Sequence, residues 1–536
     1  MTKHPNRLWI VALLLGWVFD FLFWKKGMGV NFPIFAALCL LGGLLLLLPE
    51  GIRPARGSLW LLLPFVFFAG MTAVRQEPLT TLLSYGLTLL ALSLFALTYL
   101  GGRWYQYGIV DYFARYLGLA GSMITRPLSF NQEARKERAE HEESRGPSRV
   151  WPVVRGLLIA LPIVAVFAAL LASADIIFGQ QLNRLMQLLR LEKLPEYIFR
   201  SVYILVGAYL IAGVLLHAAF RSRDEKLVGE GSSLVPRYVG FTESSIVLGS
   251  VGVLFLAFVI VQFQYFFGGH ANIRIDGYTY SEYARRGFGE LVAVAFFTLL
   301  LLLSLSGLTR REWEIQQKVF SGLGAGLVAL VLVMLVSAYQ RLTLYESAYG
   351  FSRLRTYTHV VLYWIALLLV GAILLEVLRQ ERRFAFAALA VALGFAASLS
   401  LLNVDAFIVK QNIAREMGGA PQVESTAGRA SLDLQYFLNL SDDAVPPMVE
   451  AFRSASLPAG VKNRVGAALA CIRYRRSQDD RTLPWQSFHW ARYRADRALA
   501  SITEPLDAYT IRHNDRSVEA VDSQGAKFSC SGYYAD

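Results

Sequence analysis

Apolar runs of about 17 to 25 residues recur along most of this chain, separated by short polar stretches rich in arginine, glycine and aromatic residues. Each run is long enough to cross the roughly 30 Å hydrocarbon core of a bilayer as a helix. About eleven spans are predicted, over residues 8–24, 30–49, 58–74, 79–101, 152–174, 201–220, 242–266, 290–308, 318–339, 359–378 and 384–403. The pattern therefore predicts an all-α, multi-span membrane bundle. Beyond residue 403 the long runs stop, and apolar positions recur at helical spacing instead. Leu432, Tyr436, Phe437 and Leu440 make a stripe that ends at Ser441, a residue able to cap a following helix with Pro446 near its first turn. Residues 461–476 and 484–502 read as amphipathic helices, and a small hairpin is expected around Asp522-Ser523-Gln524-Gly525.

This patterning divides the chain into a first bundle of about four spans (1–101), a charged loop (102–150), a second bundle of about seven spans (151–403) and a mostly helical extramembrane domain (404–536). In the loop, residues 131–149 alternate acid and base with no apolar side chain larger than alanine. Such a stretch cannot bury a core and reads as a solvated helix or a linker. The first apolar run ends in Phe-Leu-Phe-Trp-Lys-Lys without a small-x-small site, so it is read as a retained helix and not a cleaved leader. Trp9, Trp24, Trp60, Trp104 and Trp151 fall near span ends, as an aromatic belt requires.

Composition agrees with the patterning. The chain is 55% hydrophobic and 17% charged, with mean hydropathy +0.42, whereas soluble domains carry about a quarter charged residues. Its net charge of +12 resides in loops. One set of alternate loops holds 22 lysines and arginines and the other set 13, which favours a cytoplasmic N-terminus and a tail outside. The positive charge then serves topology and contact with anionic lipid, and nucleic acid is not an expected partner.

Candidate chemistry is sparse. No metal-ligand spacing, Walker loop or G-x-S-x-G is present, so neither a metal nor a cofactor is expected. The run Gly322-Leu323-Gly324-Ala325-Gly326 lies within an apolar span and reads as a site of close helix packing. Cys39 lies inside a span as a packing residue. Cys471 and Cys530 are either partners in one disulfide or two unpaired thiols.

The richest polar stretches are 280–290 (YSEYARRGFGE) and 341–355 (RLTLYESAYGFSRLR). Loop parity puts them on one face with Asp20, Arg75, Asp175, Gln262, Gln264, His359, Asn403 and Asp405. The ligand-binding candidates within this belt are Arg285, Arg286, Glu290, Arg341, Glu346, Arg353, Arg355 and Asp405, with Asp20 and Asn403 as further members. Thr279 and Glu282 fit a capping box, and Glu282, Arg286 and Glu290 can pair at four-residue spacing. Asp405, Ile408 and Asn412 share a helix face.

Three roles fit such a belt. Its charges can pair with one another to lock the spans and dock the tail. Its arginine forks can take a phosphate or carboxylate from an anionic or lipid-linked small molecule. Or Asp20, Glu290, Glu346 or Asp405 can act as acid or base in an enzyme on a lipid-linked substrate, a glycosyltransferase or hydrolase. With no nucleophile–base pair in view, the favoured expectation is a non-enzymatic protein. It would bind membrane lipid and an anionic amphiphile or an envelope partner protein, in transport or envelope signalling.

The segments ALLLGWVFDFLFWKKGMGVN, LASADIIFGQQLNRL, YARRGFGEL, RLTLYESAYGFSRLR, NVDAFIVKQN, LDLQYFLNLSDDAVPPMVEAF and WQSFHWARYRADRAL follow one another along the chain. In this ordered series the chain resembles a family of bacterial polytopic membrane proteins, the domain-of-unknown-function groups four-one-five-three and four-one-seven-three; an inner-membrane location is the accompanying expectation. The resemblance covers most of the chain and implies the membrane architecture. It implies no activity, substrate or catalytic residue. Lipid-linked sugar transferases share a similar span count, but their long first outer loop contrasts with the six or so residues between the first two spans here.

Overall fold

The computed structural model describes residues 5–141, most of 156–181, 193–223, 237–267, 288–418, 433–479, 483–514 and 517–530. In chain order its long helices are α1 (Pro5–Phe23), α2 (Asn31–Leu47), α3 (Leu62–Val74), α4 (Pro78–Leu97), α5 (Ile109–His141), α6 (Leu194–Phe220), α7 (Phe241–Phe267), α8 (Phe288–Leu308), α9 (Glu314–Tyr349), α10 (Arg353–Val377) and α11 (Phe384–Leu402). Among the described residues, 10 helices are long and apolar enough to cross a membrane, which makes the chain an all-α multi-span membrane protein. The expected span at 152–174 is only partly among the described residues.

Helix α5 is the main departure from the patterning. It runs for 33 residues within the expected charged loop, where a solvated helix was one reading of 131–149 only. Reading for unbroken apolar runs passes over it, because Arg115 and Arg126 interrupt it. Ile109, Phe113, Leu117, Ile124 and Leu128 are nonetheless exposed along it at three- to four-residue multiples. These positions give α5 one exposed apolar face, the pattern of an amphipathic helix.

The chain folds as two compact units. The first comprises Met1–Trp24, Ala37–Arg53 and Tyr116–Ser222. Its centre is α1 against α6, where Ala12, Ala208 and Ala212 are buried and let the backbones approach, as small residues do in membrane bundles. Polar pairs fix its register: Trp9 donates to Asn131 Oδ1 at 3.1 Å, and His217 Nδ1 lies 2.8 Å from Ser122 Oγ.

The second unit comprises Lys25–Ala36, Pro54–Arg115 and Arg223–Asp536. Helix α9 is its axis. At 36 residues it is about 54 Å long, well beyond the hydrocarbon core. Leu327, Val331 and Ala338 of α9 pack with Leu248 of α7, Ala295 of α8 and Leu369 of α10 in one buried cluster. In the glycine run, a Cβ on Gly324 would meet Ile373 at 3.1 Å and Leu302 at 3.3 Å, while Gly322 and Gly326 have open space.

The tail belongs to this second unit. Asn403, in the left-handed region at φ 55°, ends α11 and starts α12 (Val404–Met417). Then come α13 (Leu434–Leu438), α14 (Val445–Arg453), α15 (Ala459–Ser477) and α16 (Trp490–Ala500). A three-stranded antiparallel sheet follows, β1 (Thr510–Asn514), β2 (Ser517–Val521) and β3 (Lys527–Ser529), in that order across the sheet. The expected hairpin joins β2 to β3: Asp522 Oδ1 accepts from Gln524 N–H at 2.9 Å and Ala526 N–H at 2.8 Å. Val465, Leu469, Met448, Phe437 and Leu506 form the tail's core. A disulfide between Cys471 and Cys530 ties α15 to the end of the sheet.

Two local expectations are corrected. Residues 484–502 are not one helix, because a 3-10 turn at Trp485–Ser487 and extended residues at Phe488 and His489 precede α16. The His489 ring then caps α16, Nδ1 accepting from Ala491 N–H at 3.3 Å. Ser441 occupies a capping position, but its side chain accepts no capping bond. Its backbone N–H points away, to Asp405.

Candidate functional site

Three chain reversals of the second unit meet at the end of the bundle that carries the tail: 75–77 between α3 and α4, 350–352 between α9 and α10, and Asn403 between α11 and α12. Asp405, in the first turn of α12, is completely buried there. The α12 N-terminus favours its charge, and Arg353 in the first turn of α10 matches it with a fork. Arg353 Nε donates to Oδ1 at 2.8 Å and an Nη to Oδ2 at 2.7 Å. Ser441 N–H donates to Oδ2 at 2.7 Å. Tyr436 Oη accepts from the Arg353 backbone N–H at 2.8 Å. One carboxylate thus joins α10, α12 and the segment between α13 and α14.

A second link lies beside it. Arg75 Nε donates to the Ser400 carbonyl at 2.8 Å and its guanidinium to Asp443 Oδ1 at 3.3 Å. Gln76 N–H donates to Asp443 Oδ2 at 2.8 Å. Burial pushes the Asp443 carboxyl above its usual range, and these two donors pull it partly back. Glu77, also buried, caps α4: it accepts from Leu79 N–H at 2.9 Å and Thr80 N–H at 2.7 Å. The Tyr357 hydroxyl of α10 donates to the same carboxylate.

The α9–α10 reversal is held from α12. Asn412 Oδ1 accepts from Phe351 N–H at 2.7 Å, and its amide donates to the Phe351 carbonyl at 3.0 Å. Gly350 has φ 80° and ψ 173°, a conformation open to little but glycine. A Cβ there would also lie 2.7 Å from Asn412 Oδ1. Arg355 donates to the Gly350 carbonyl and stacks on Tyr345, 4.2 Å from the ring centre. Glu346, 2% exposed, is bonded to His359 Nε2 at 2.6 Å, and the His359 ring packs edge-on against Tyr339.

Of the belt residues expected from sequence, Arg353, Arg355, Glu346, His359, Asp405, Asn403 and Arg75 do gather at this end of the second unit. Arg341 is half-buried on α9 and Glu290 is exposed on α8. Arg285, Arg286, Thr279 and Glu282 lie outside the described residues. Asp20 belongs to the first unit, where it is buried and bonded to Arg200 Nε at 2.9 Å and to the Tyr203 hydroxyl. Asp175 is exposed and caps a turn through Ile177 and Phe178 N–H.

Several members went unnoticed in the sequence. Glu77 stood directly before Pro78, which is the signature of a helix start. Asp443 sat in a run of two aspartates before two prolines. Tyr357 and Tyr436 carried no signal apart from their hydroxyls. At the opposite end of the second unit, Glu376 accepts from Arg311 and Ser306, a buried pair that the belt argument did not address.

The tail is also fastened through 484–490. Val30 N–H donates to the Phe488 carbonyl at 2.9 Å, and Ser487 Oγ to the Gly27 carbonyl at 3.1 Å. The buried His489 hydrogen-bonds the Thr72 and Arg75 backbones, yet burial outweighs this and lowers its pKa. A Cβ on Gly29 would fall 2.5 Å from the Phe488 carbonyl oxygen.

Chemically, this arrangement is a clamp. The carboxylates of Asp405, Asp443 and Glu77 each face their own donors, and the arginine forks of Arg353 and Arg75 are taken up by protein acceptors. No group of three His, Cys, Asp or Glu able to hold a metal occurs among the described residues. The open feature on the tail is a groove of about 560 Å³ between α14 and α16, lined by Arg453, Arg494, Arg497, Trp490, Tyr493 and Glu450 among others. No curated protein and no solved structure matches the chain. Residues 62–451, which include α3 to α11 and every charged member of the clamp from Arg75 to Asp443, match the family described as Domain of unknown function (DUF4153), and the chain belongs to that family.

Proposed function

We propose that this is a bacterial inner-membrane protein with a cytoplasmic N-terminus and an outer tail, acting without catalysis as a receptor for an anionic amphiphile at its outer face. Kinship with the four-one-seven-three group is part of the same proposal. The observation that carries it is the clamp: Asp405 and Asp443 are spent on holding the tail to the span ends and Glu77 on joining α4 to α10, so binding falls to the surface the tail presents. The engagement of Asp20 by Arg200 and of Asp405 by Arg353 speaks against acid–base roles for those groups. The 22-to-13 loop charge bias and the tail disulfide both favour an outer tail.

Sidedness and binding are tested separately. On unreduced intact cells, a membrane-impermeant maleimide should label a Ser456→Cys variant, substituted at an exposed position of the tail, from outside; labelling only after the membrane is opened would overturn the orientation. Protein purified in mild detergent should retain anionic lipid above its share of the bulk membrane. Retention at bulk proportions would overturn the receptor reading.

A further inference from the structure

We infer that the α14–α16 groove is a binding site for the phosphate-bearing headgroup of an outer-leaflet lipid. The inference rests on the outer-tail reading above and deepens it. Helix α16 starts one residue after the point where the tail is pinned to the reversals 27–30 and 72–76. Arg494 and Arg497 lie four and seven residues beyond Trp490, about 6 and 10 Å along α16 at 1.5 Å rise per residue, and the far end of the groove at Ser501 lies about 16 Å along. Headgroup layers add about 5–8 Å to each side of the hydrocarbon core. On the outer-tail reading the Trp490–Arg494 end of the groove therefore reaches headgroup level, with Arg497 just above it.

Its side chains suit that place. Trp485, Phe488, Trp490 and Tyr493 are each exposed by 41% or more, and Trp490 and Phe488 pack on Tyr493 at ring distances of 5.4 and 5.9 Å. Exposed aromatics clustered beside span ends are the usual anchors at a membrane interface. Three arginines line the groove against one carboxylate, Glu450. Arg453 is held by its bond to the Ser501 carbonyl at 2.6 Å, while Arg494 and Arg497 project from successive turns of α16. Arginine forks match phosphate oxygens, and a groove of about 560 Å³ holds a whole glycerophosphate headgroup rather than an ion alone.

The test uses the full chain in dodecyl maltoside, titrated with dioleoyl phosphatidylglycerol, dioleoyl phosphatidylcholine or inorganic phosphate and read by native mass spectrometry. Phosphatidylglycerol should bind at least tenfold more tightly than phosphatidylcholine. The Arg494→Gln/Arg497→Gln variant should lose about tenfold for phosphatidylglycerol only, and Trp490→Ala should weaken both lipids. Inorganic phosphate should compete only at a large excess. Unchanged phosphatidylglycerol binding in the arginine variant, or equal binding of the two lipids, would overturn the site. Displacement of phosphatidylglycerol by equimolar phosphate would overturn the lipid as its source. The arginines are exposed, so their replacement leaves the fold intact, as thermal unfolding will confirm. Detergent binding does not depend on sidedness, so an inverted orientation would leave this result standing.

Discussion

Asp405 and Arg353 offer the sharpest test of the clamp, because the two partners differ in burial. Asp405 is at 0% exposure and the Arg353 side chain at 23%. Replacing Arg353 with Met leaves a carboxylate in the interior with the Ser441 N–H as its remaining donor. Breaking a buried pair in this way costs about 3–5 kcal/mol. Replacing Asp405 with Leu strands the arginine instead, but water already reaches that side chain, so the cost should be nearer 2–3 kcal/mol. The double replacement removes both charges and should cost less than the two singles together, since nothing charged is left unpaired.

If the pair fastens the tail, these free energies appear in the population of the released tail. Trypsin cleavage of the tail in detergent-purified protein reports that population when reclosing is fast. The expectation is cleavage faster by more than about 100-fold for Arg353→Met, by about 30- to 150-fold for Asp405→Leu, and by less than their product for the double variant. Cleavage of Arg353→Met within threefold of the parent would refute the clamp, as would strict additivity of the two changes.

Further expectations follow from other contacts of the clamp and the tail. His489 is held neutral by burial, so its folded pKa lies below its ordinary value near 6.5; its contribution is complete above that pH and is lost as pH falls through the folded pKa, and tail release measured from pH 7.5 to 4.5 should rise in the parent but stay flat near pH 6 in His489→Gln. Asp443, with a raised folded pKa, has the opposite sign and acts in a lower window, starting from its ordinary value of 3.8. Gly350→Ala forces a side chain into a glycine-only conformation and onto Asn412, and should lower stability by about 1–3 kcal/mol in thermal unfolding, with no change if the reversal is relaxed. Reduction of Cys471–Cys530 opens a loop of 59 residues and should destabilise the tail by about 4 kcal/mol on the chain-entropy account, seen as a lower unfolding temperature under reducing conditions.

The apolar runs alone determined that this chain crosses a membrane many times, and their lengths placed ten spans close to where the helices lie. Loop parity put Arg75, Arg353, Glu346 and Asp405 on one face, because alternate reversals of a multi-span chain must share a side. Partners were another matter. Arg353 and Asp405 are 52 residues apart and Arg75 and Asp443 are 368 apart, and no local pattern carries a contact across such distances. Amphipathic α5 escaped for a related reason, since its apolar face is distributed over turns and interrupted by arginine.

Sequence by itself therefore determined which long runs are apolar enough to span, a property of side-chain hydropathy summed along a run. That Arg353 meets Asp405 and Arg75 meets Asp443 was decided only by the tertiary structure. A carboxylate's role depends on how many donors reach it once water is excluded, and that number is set by the packing of α10, α12 and the tail around Asp405. The same packing left Arg494 and Arg497 outside the lattice, and with them the surface now open to test.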